Sequence, residues 1–141
     1  MMSSSSRGAI INSLDLSRVQ VYATNIAPPQ LGLSDEMYER LDRDFGTLIH
    51  NAANVNHAQD YETLAKENVA PVFECLRLCE GRSKKIFNFI STLLACSAVD
   101  IEGLVLEAPA TDTPPIYIKN GYNLSKWVAE RILQQASEQG S

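Results

Sequence analysis

Tyr122 and Lys126 are the two residues whose types and spacing could do chemistry. They lie four positions apart in the stretch GYNLSKWVAE, residues 121–130, so on a helix they share one face. An ammonium group close to a phenol favours the phenolate, and so lowers the pKa of a tyrosine from its reference value of about 10. Such a pair suits general acid catalysis at a carbonyl oxygen. The alternative interpretation is a surface helix whose tyrosine and lysine have no catalytic role.

The helix that would hold this pair has an apolar side. Leu124, Val128 and Ile132 recur at four-residue spacing, which predicts a buried stripe along the helix. We expect the helix to end at about residue 137. A helix with one buried stripe can fix the direction of polar side chains on its other faces.

The elements that must position this helix follow an α/β order. Three runs that are β-rich or apolar predict strands, at 19–24, 46–50 and 85–91. Helices are predicted over 34–45, with a serine as N-cap, and over 61–78, where Pro71 indicates a kink or a fresh start. The segment 96–121 contains three prolines and predicts mostly loop. Strands alternating with helices are typical of a parallel sheet with right-handed crossovers.

Composition excludes several classes of protein. The 141 residues suffice for one domain, and the net charge of -5 gives no reason to expect nucleic acid or an anionic membrane as partner. No apolar run approaches the roughly 20 residues that span a bilayer, and no secretory signal is evident, so we expect a cytoplasmic protein. Cys75, Cys79 and Cys96 have no further ligands at metal-binding spacing. We therefore predict no metal site and read Cys75 and Cys79 as small core residues.

Six short motifs occur in one order along the chain: LGLS (31–34), HNAA (50–53), VNH (55–57), NV (68–69), FIST (89–92) and GYNLSKWVAE (121–130). In that order they resemble the extended short-chain dehydrogenase/reductase superfamily. Within it, the chain is most similar to the thioester reductase domains that end nonribosomal peptide synthetases and carboxylic acid reductases. The resemblance covers about residues 19–136. It implies a Rossmann-type sheet carrying NADPH, a smaller C-terminal substrate domain, and hydride transfer to a thioester on a phosphopantetheine arm that releases an aldehyde or alcohol.

The resemblance assigns catalytic roles to three residues. Tyr122 would donate a proton to the carbonyl oxygen, and Lys126 would favour its phenolate and hold the nicotinamide ribose. Thr92, with Ser91 beside it, would donate a hydrogen bond to the substrate oxygen. The plain alternative for Thr92 is a hydroxyl at the end of a strand.

Further residues would act on the cofactor side. By the same resemblance Asn51, Ala52 and Ala53 would line the cofactor, and Asn68 would support the Lys126 relay. The alternatives are that Asn51 is a turn residue and that Asn68 is a polar residue on a helix.

The chain lacks the glycine-rich turn that a dinucleotide site needs between the first strand and the first helix, where backbone N–H groups hold the pyrophosphate. Its seven glycines are scattered and form neither GxGxxG nor GxxGxxG. Asn25 stands where the family usually has an aspartate. The match begins at the family's third strand and stops just after the Tyr122 helix. We therefore expect a domain truncated at both ends that binds no NADPH, although the parent family does.

Loss of the first two strands would leave a gap in the sheet. We expect residues 19–24 to fill it, giving a truncated Rossmann-like domain with a three-stranded parallel sheet in the order 19–24, 46–50, 85–91, flanked by helices. Exposed apolar sheet edges would favour a homodimer or attachment to a neighbouring domain. The predicted organisation is a Ser-rich flexible lead-in (1–17), the reductase-like domain (18–138) and a tail (139–141).

Three functions are compatible with these expectations. The first is a remnant terminal reductase-like domain that has lost NADPH-dependent reduction and assists non-reductive, diketopiperazine-type release of a carrier-bound peptidyl thioester. The second is a non-catalytic module that docks on or stabilises the upstream carrier domain. The third is a fragment of an NADPH-dependent thioester reductase that releases an aldehyde or alcohol. Whether the chain is itself an enzyme stays open at this point.

Overall fold

The computed structural model describes residues 15–96, 100–106, 108–112 and 114–140. Its helices are α1 (Asp35–Asp44), α2 (Tyr61–Asn68), α3 (Ala70–Cys79) and α4 (Gly121–Glu138), and its strands are β1 (Thr47–His50) and β2 (Ile86–Phe89). Single turns of 3-10 helix lie at Leu16–Arg18, Pro29–Gly32 and Leu93–Ala95. The chain runs from β1 through α2 and α3 to β2, which confirms the predicted α/β class.

The two strands pair in parallel, with Thr47 opposite Ile86 and His50 opposite Phe89. Alternate residues on one face are buried or half-buried: Leu48, His50, Phe87 and Phe89. On the other face Ile49 and Ile86 are each 67% exposed. The helices of the described residues therefore cover one face of the sheet, although parallel sheets are generally covered on both.

The prediction of a third strand at 19–24 is wrong, because the sheet of the described residues consists of β1 and β2 alone. The hydroxyl of Thr24 donates to the Leu31 carbonyl at 2.7 Å, and the Tyr22 hydroxyl accepts from the Arg40 guanidinium at 3.4 Å. These bonds hold the segment against α1 and the turn at Pro29–Gly32. If the segment 19–24 paired with β1, it would have to give up its contacts with α1 and with the turn at Pro29–Gly32.

The helix boundaries follow the local signals. Ser34 caps α1 by accepting a hydrogen bond from the Met37 amide at 3.3 Å, as predicted. The predicted helix over 61–78 is two helices that meet at Val69, with Pro71 in the first turn of α3. A proline costs little there because the first-turn N–H groups have no partner within the helix. Of the two alternatives predicted at Pro71, a kink or a fresh start, the structure shows the fresh start.

The core lies where α3 and the turn at Pro29–Gly32 pack together. Leu31, Cys75 and Leu78 form its buried centre. Both Cys75 and Cys79 are buried free thiols, as predicted, and burial raises the pKa of Cys75 to about 12. A second buried cluster consists of Ala95, Ala110 and Trp127, and it packs α4 against the segment that follows β2.

Parts of three predictions lie outside the described residues, among them residue 141 of the predicted tail 139–141. The lead-in 1–17 is described only from residue 15, and in the loop 96–121 residues 97–99, 107 and 113 are not described. In the described parts of that loop the chain is irregular. None of the helices described here is both long enough and apolar enough to cross a membrane.

Candidate functional site

Lys126 is buried beside the carboxyl end of β2. The residue is 3% exposed, its Nζ donates to the Ile90 carbonyl at 2.8 Å, and Nζ lies 4.6 Å from the centre of the Phe89 ring. Burial lowers the pKa of Lys126, and the charge of Glu130 acts in the opposite sense. The end of β2 therefore holds the ammonium group in place through a backbone oxygen and an aromatic face.

Tyr122 lies in the first turn of α4, on the predicted helix. Its ring meets the His57 ring edge-on, with centroids 4.9 Å apart and planes at 77°. Among the described residues, no hydrogen bond joins Tyr122 to Lys126 or to Thr92. The helix that carries the tyrosine and the lysine is confirmed, whereas their action as a proton relay stays a prediction.

Gly121 sets the position of Tyr122 by letting α4 approach α2 closely. A Cβ atom at Gly121 would lie 2.5 Å from the carbonyl carbon of Asp60 and 2.6 Å from the backbone oxygen of Gln59. Backbone atoms cannot yield as the end of a side chain can, so only glycine fits at this crossing. The start of α4 is thereby fixed against the start of α2.

Asn68 is 2% exposed and links three segments of the chain. Its side-chain amide donates to the Asn54 carbonyl and to the Ser125 hydroxyl, each at 3.0 Å, and its oxygen accepts from the Asn54 amide at 2.7 Å. The Ser125 hydroxyl in turn donates to the Tyr122 carbonyl at 2.7 Å. Asn68 thus contacts the neighbour of Lys126 in sequence, and its predicted support of the lysine stays a prediction.

Thr92 and Ser91 line an open groove where β2 ends. The groove has a volume of about 380 Å³ and is lined by Ser91, Thr92, Leu93, Cys96, Val105, Leu106, Ala108 and Glu130. The Ser91 hydroxyl donates to the Glu130 carboxylate, while Thr92 caps the following 3-10 turn through the Leu94 amide. The groove therefore combines two hydroxyls and a carboxyl group with apolar walls.

Glu130 is a functional candidate that the sequence reasoning did not single out. It lies one turn after Lys126 on α4. Burial raises the pKa of Glu130, and the Ser91 hydrogen bond and the charge of Lys126 act in the opposite sense. The four-residue spacing of Tyr122, Lys126 and Glu130 was the available signal, because it places all three near one face of the helix.

His50 is the second residue that the sequence reasoning left aside. It is 6% exposed, its ring stacks on Phe89 with centroids 5.7 Å apart, and its Nε2 has no hydrogen-bond partner among the described residues. Burial lowers the pKa of His50 from its ordinary value of 6.5, and the charge of Lys126 adds to that effect. Both effects favour the neutral form of the imidazole beside the lysine.

The residues predicted to line a cofactor lie just after β1. Asn51 and Ala52 are exposed, and Ala52 and Ala53 line a shallow groove together with Asn25 and Glu67. A dinucleotide pyrophosphate needs several backbone N–H groups in a glycine-rich turn. This groove offers a carboxylate instead, and the chain has no glycine-rich turn. The residues of this chain do not by themselves fit a complete NADPH site.

Comparisons with known proteins give the family. The chain matches the NAD-binding family described as "Male sterility protein" over residues 3–141. It is 36% identical over 124 residues to an isonitrile lipopeptide synthase of Streptomyces coeruleorubidus, covering 87% of this chain and 8% of that protein. It is also 36% identical over 121 residues to the hybrid PKS-NRPS synthetase LUC5 of a Fusarium species, covering 86% of this chain and 3% of that protein.

Solved structures agree with this match. The terminal R domain from the myxalamid PKS-NRPS pathway superposes with a TM-score of 0.67 at 31% identity, covering 84% of this chain and 30% of that one. The R domain of a nonribosomal peptide synthetase from Mycobacterium tuberculosis gives a TM-score of 0.68 at 26% identity, covering 86% and 29%. The chain thus spans less than a third of the solved domains that it matches. It belongs to the NAD-binding male sterility protein family and is a reductase-like domain sequence of the type that ends nonribosomal peptide and hybrid polyketide–peptide synthetases.

Proposed function

We propose that this chain acts on a peptidyl thioester held by the phosphopantetheine arm of a carrier domain, and that it assists release without reduction. The observation that carries the proposal is the groove at the end of β2, where the hydroxyls of Ser91 and Thr92 face an apolar-walled opening. Hydroxyl donors at such a place can polarise a thioester carbonyl. The Ser91 hydroxyl already donates to Glu130, so Thr92 is the first donor, and Tyr122, at the start of α4, would supply a second donor to the same oxygen.

Release without reduction requires only groups that this chain contains. If the peptide's own amine attacks the thioester carbonyl, the C–N bond forms within one molecule while the C–S bond breaks, giving a diketopiperazine-type ring. Reactions within one molecule benefit from high effective concentrations, so modest polarisation of the carbonyl suffices. Hydride transfer would instead need a dinucleotide held by a pyrophosphate cradle, and this chain contains no glycine-rich turn for one.

A product assay tests the proposal. A carrier domain loaded with a dipeptidyl thioester is incubated with the chain, with and without NADPH, and the released product is identified by mass spectrometry. We expect cyclic dipeptide in both cases and no aldehyde. The variant with both Thr92→Ala and Tyr122→Phe should release it about tenfold more slowly, since each lost donor weakens the polarisation. A matched control combines Thr47→Ala and Tyr22→Phe, which lie away from the groove; equal rates in both variants refute the active role.

A second candidate function is docking on the carrier domain. Apolar side chains are exposed along the segment after β2: Leu93, Leu94, Ile101, Leu104, Val105, Leu106, Ile116 and Tyr117. We call this set the apolar loop surface. Exposed apolar side chains concentrated in one segment favour contact with another protein surface. The solved thiolation-reductase di-domain of an archaeal synthetase has the same fold over this chain, with a TM-score of 0.64.

Titration of an isotope-labelled carrier domain with the chain tests docking. Shift changes that are weakened by Leu93→Ser with Leu94→Ser, and not by the exposed control Val21→Ser, support it. Unchanged spectra with all three proteins refute docking at the apolar loop surface.

The third candidate is a segment of a working NADPH-dependent thioester reductase. The coverage of less than a third of each solved R domain favours this candidate, as does a match of 29% identity to the L-2-aminoadipate reductase large subunit of Eremothecium gossypii. A glycine-rich turn encoded upstream of Met1 in the natural gene would support it. An upstream sequence without such a turn would exclude it.

A further inference from the structure

The groove at the end of β2 contains a carboxyl group, that of Glu130, beside its hydroxyls. Glu130 projects from α4 into the same opening that the hydroxyls of Ser91 and Thr92 line, and Ser91 donates a hydrogen bond to it. An amine that attacks a thioester must lose a proton as the new bond forms, and a carboxylate within reach of the carbonyl can accept it.

We propose that Glu130 is the proton acceptor for the attacking amine, and that the groove takes a peptidyl thioester with an apolar side chain. This proposal rests on the proposed non-reductive release. The amine nitrogen forms a bond to the carbonyl carbon and gives one proton to Glu130, the C–S bond breaks, and the thiolate takes that proton from Glu130. The products are an amide and a free thiol, and Glu130 returns to its starting form.

The walls of the groove support the choice of substrate. Leu93, Val105, Leu106 and Ala108 form its sides. Its volume of about 380 Å³ lies in the range of sites for small organic ligands. Because Thr92 and Glu130 line the same groove as these apolar side chains, a thioester carbonyl and an amine can meet polar groups there while an apolar side chain lies along the walls.

The charged neighbours of Glu130 are compatible with this role. On its own helix Lys126 is the charge that acts on it, and its ammonium is already bonded to the Ile90 carbonyl. Arg131, the next residue, pairs with Asp112 of the loop. From β2 and the following turn the groove receives Ser91, Thr92 and Cys96, which carry no formal charge. Because burial raises the pKa of Glu130, the group is a stronger base than an exposed carboxylate.

The test compares Glu130→Gln with Glu138→Gln, a control at the end of the same helix. With a dipeptidyl pantetheine thioester as probe, we expect Glu130→Gln to slow cyclic product formation by about a hundredfold. We also expect it to abolish the acidic limb of the pH–rate profile that Glu130 gives, while the limb due to the substrate amine remains. An unchanged rate and an unchanged acidic limb would overturn the proposal, even if the variant with Thr92→Ala and Tyr122→Phe is impaired.

A binding measurement separates this proposal from the proposed function. A stable thioether analogue with a free amine should bind the wild-type chain about fivefold or more tightly than its N-acetylated form, since a cation gains a carboxylate partner. The difference should vanish in Glu130→Gln and persist in Glu138→Gln. A wild-type chain that does not accelerate release refutes the proposed function, whereas equal binding of the two analogues refutes the placement of the amine at Glu130.

Discussion

At the scale of single residues, the site depends on polar groups that are buried with unequal numbers of partners. Lys126 has a backbone oxygen and an aromatic ring, and Asn68 has three hydrogen bonds. His50 has a ring to stack on but no partner for Nε2 among the described residues. These differences predict that His50 makes stability depend on pH and that Asn68 contributes strongly to the free energy of unfolding.

His50 should make the protein less stable in mild acid. Its folded pKa is below 6.5, so the unfolded chain binds the proton more readily than the folded chain does. The free energy of unfolding should therefore fall as pH decreases from about 6.5, until the folded imidazole is protonated as well. His50→Phe keeps an aromatic ring at this place and should show a smaller fall. Urea titrations at several pH values measure the fall in the free energy of unfolding, and the control His57→Gln should show the same fall as wild type. A fall in His50→Phe that equals the wild-type fall contradicts the assignment.

Asn68 should contribute more to stability than an exposed asparagine of the same chain. Asn68→Ala removes the partners of the Asn54 amide and carbonyl and one partner of the Ser125 hydroxyl, so we expect a loss of about 2 to 3 kcal/mol in the free energy of unfolding. Asn88→Ala, on the exposed face of the sheet, should change it by less than about 0.5 kcal/mol. Chemical denaturation of both variants gives the comparison, and equal losses would show that the Asn68 bonds contribute little.

At the scale of elements, the crossing of α2 and α4 places the candidate donor Tyr122. Gly121→Ala would push a Cβ atom against the Asp60 and Gln59 backbone, so we expect a loss of about 1 to 3 kcal/mol and a shifted Tyr122 signal in NMR spectra. Gly46→Ala is the matched control, because its Cβ would meet nothing within 4 Å. Similar stabilities for the two variants would show that the helices can separate at no cost.

Local sequence signals predicted most of the elements correctly. The Ser34 cap and the first-turn position of Pro71 both act within one turn, so the local sequence alone located both helix starts. The segment 19–24 was misassigned because a β-rich composition gives the strand propensity of a segment but not the segment with which it would pair. Its position is decided by contacts with Arg40 and Leu31, which are distant in sequence.

The candidate site could be predicted only in part, for the same reason. Tyr122 and Lys126 were visible because they share one helix, whereas Thr92 was indicated only by the family resemblance of the motif FIST, residues 89–92. Glu130 became a candidate because it accepts a hydrogen bond from Ser91, 39 positions away in sequence. The environment of His50 likewise depends on Phe89 of the neighbouring strand. Pairings across such distances are set by the tertiary fold, and no local pattern encodes them.

At the scale of the whole molecule, the residues proposed to act on the thioester carbonyl are held by hydrogen bonds, whereas the residues predicted to line a cofactor do not form a complete site. Lys126, Ser91 and Thr92 are positioned at the end of β2, while the groove after β1 contains Glu67 and no glycine-rich turn. A sheet with one exposed face and an apolar loop surface also leaves room for contacts with further protein. The account therefore requires that this chain alone does not hold the dinucleotide that its family uses.

Calorimetric titration of NADPH into the purified chain tests that requirement most directly. We predict no saturable heat up to about millimolar NADPH, because a dianionic pyrophosphate without backbone N–H partners gains too little to offset the cost of binding. Saturable binding with a micromolar dissociation constant would contradict the account and favour a working reductase site within these 141 residues.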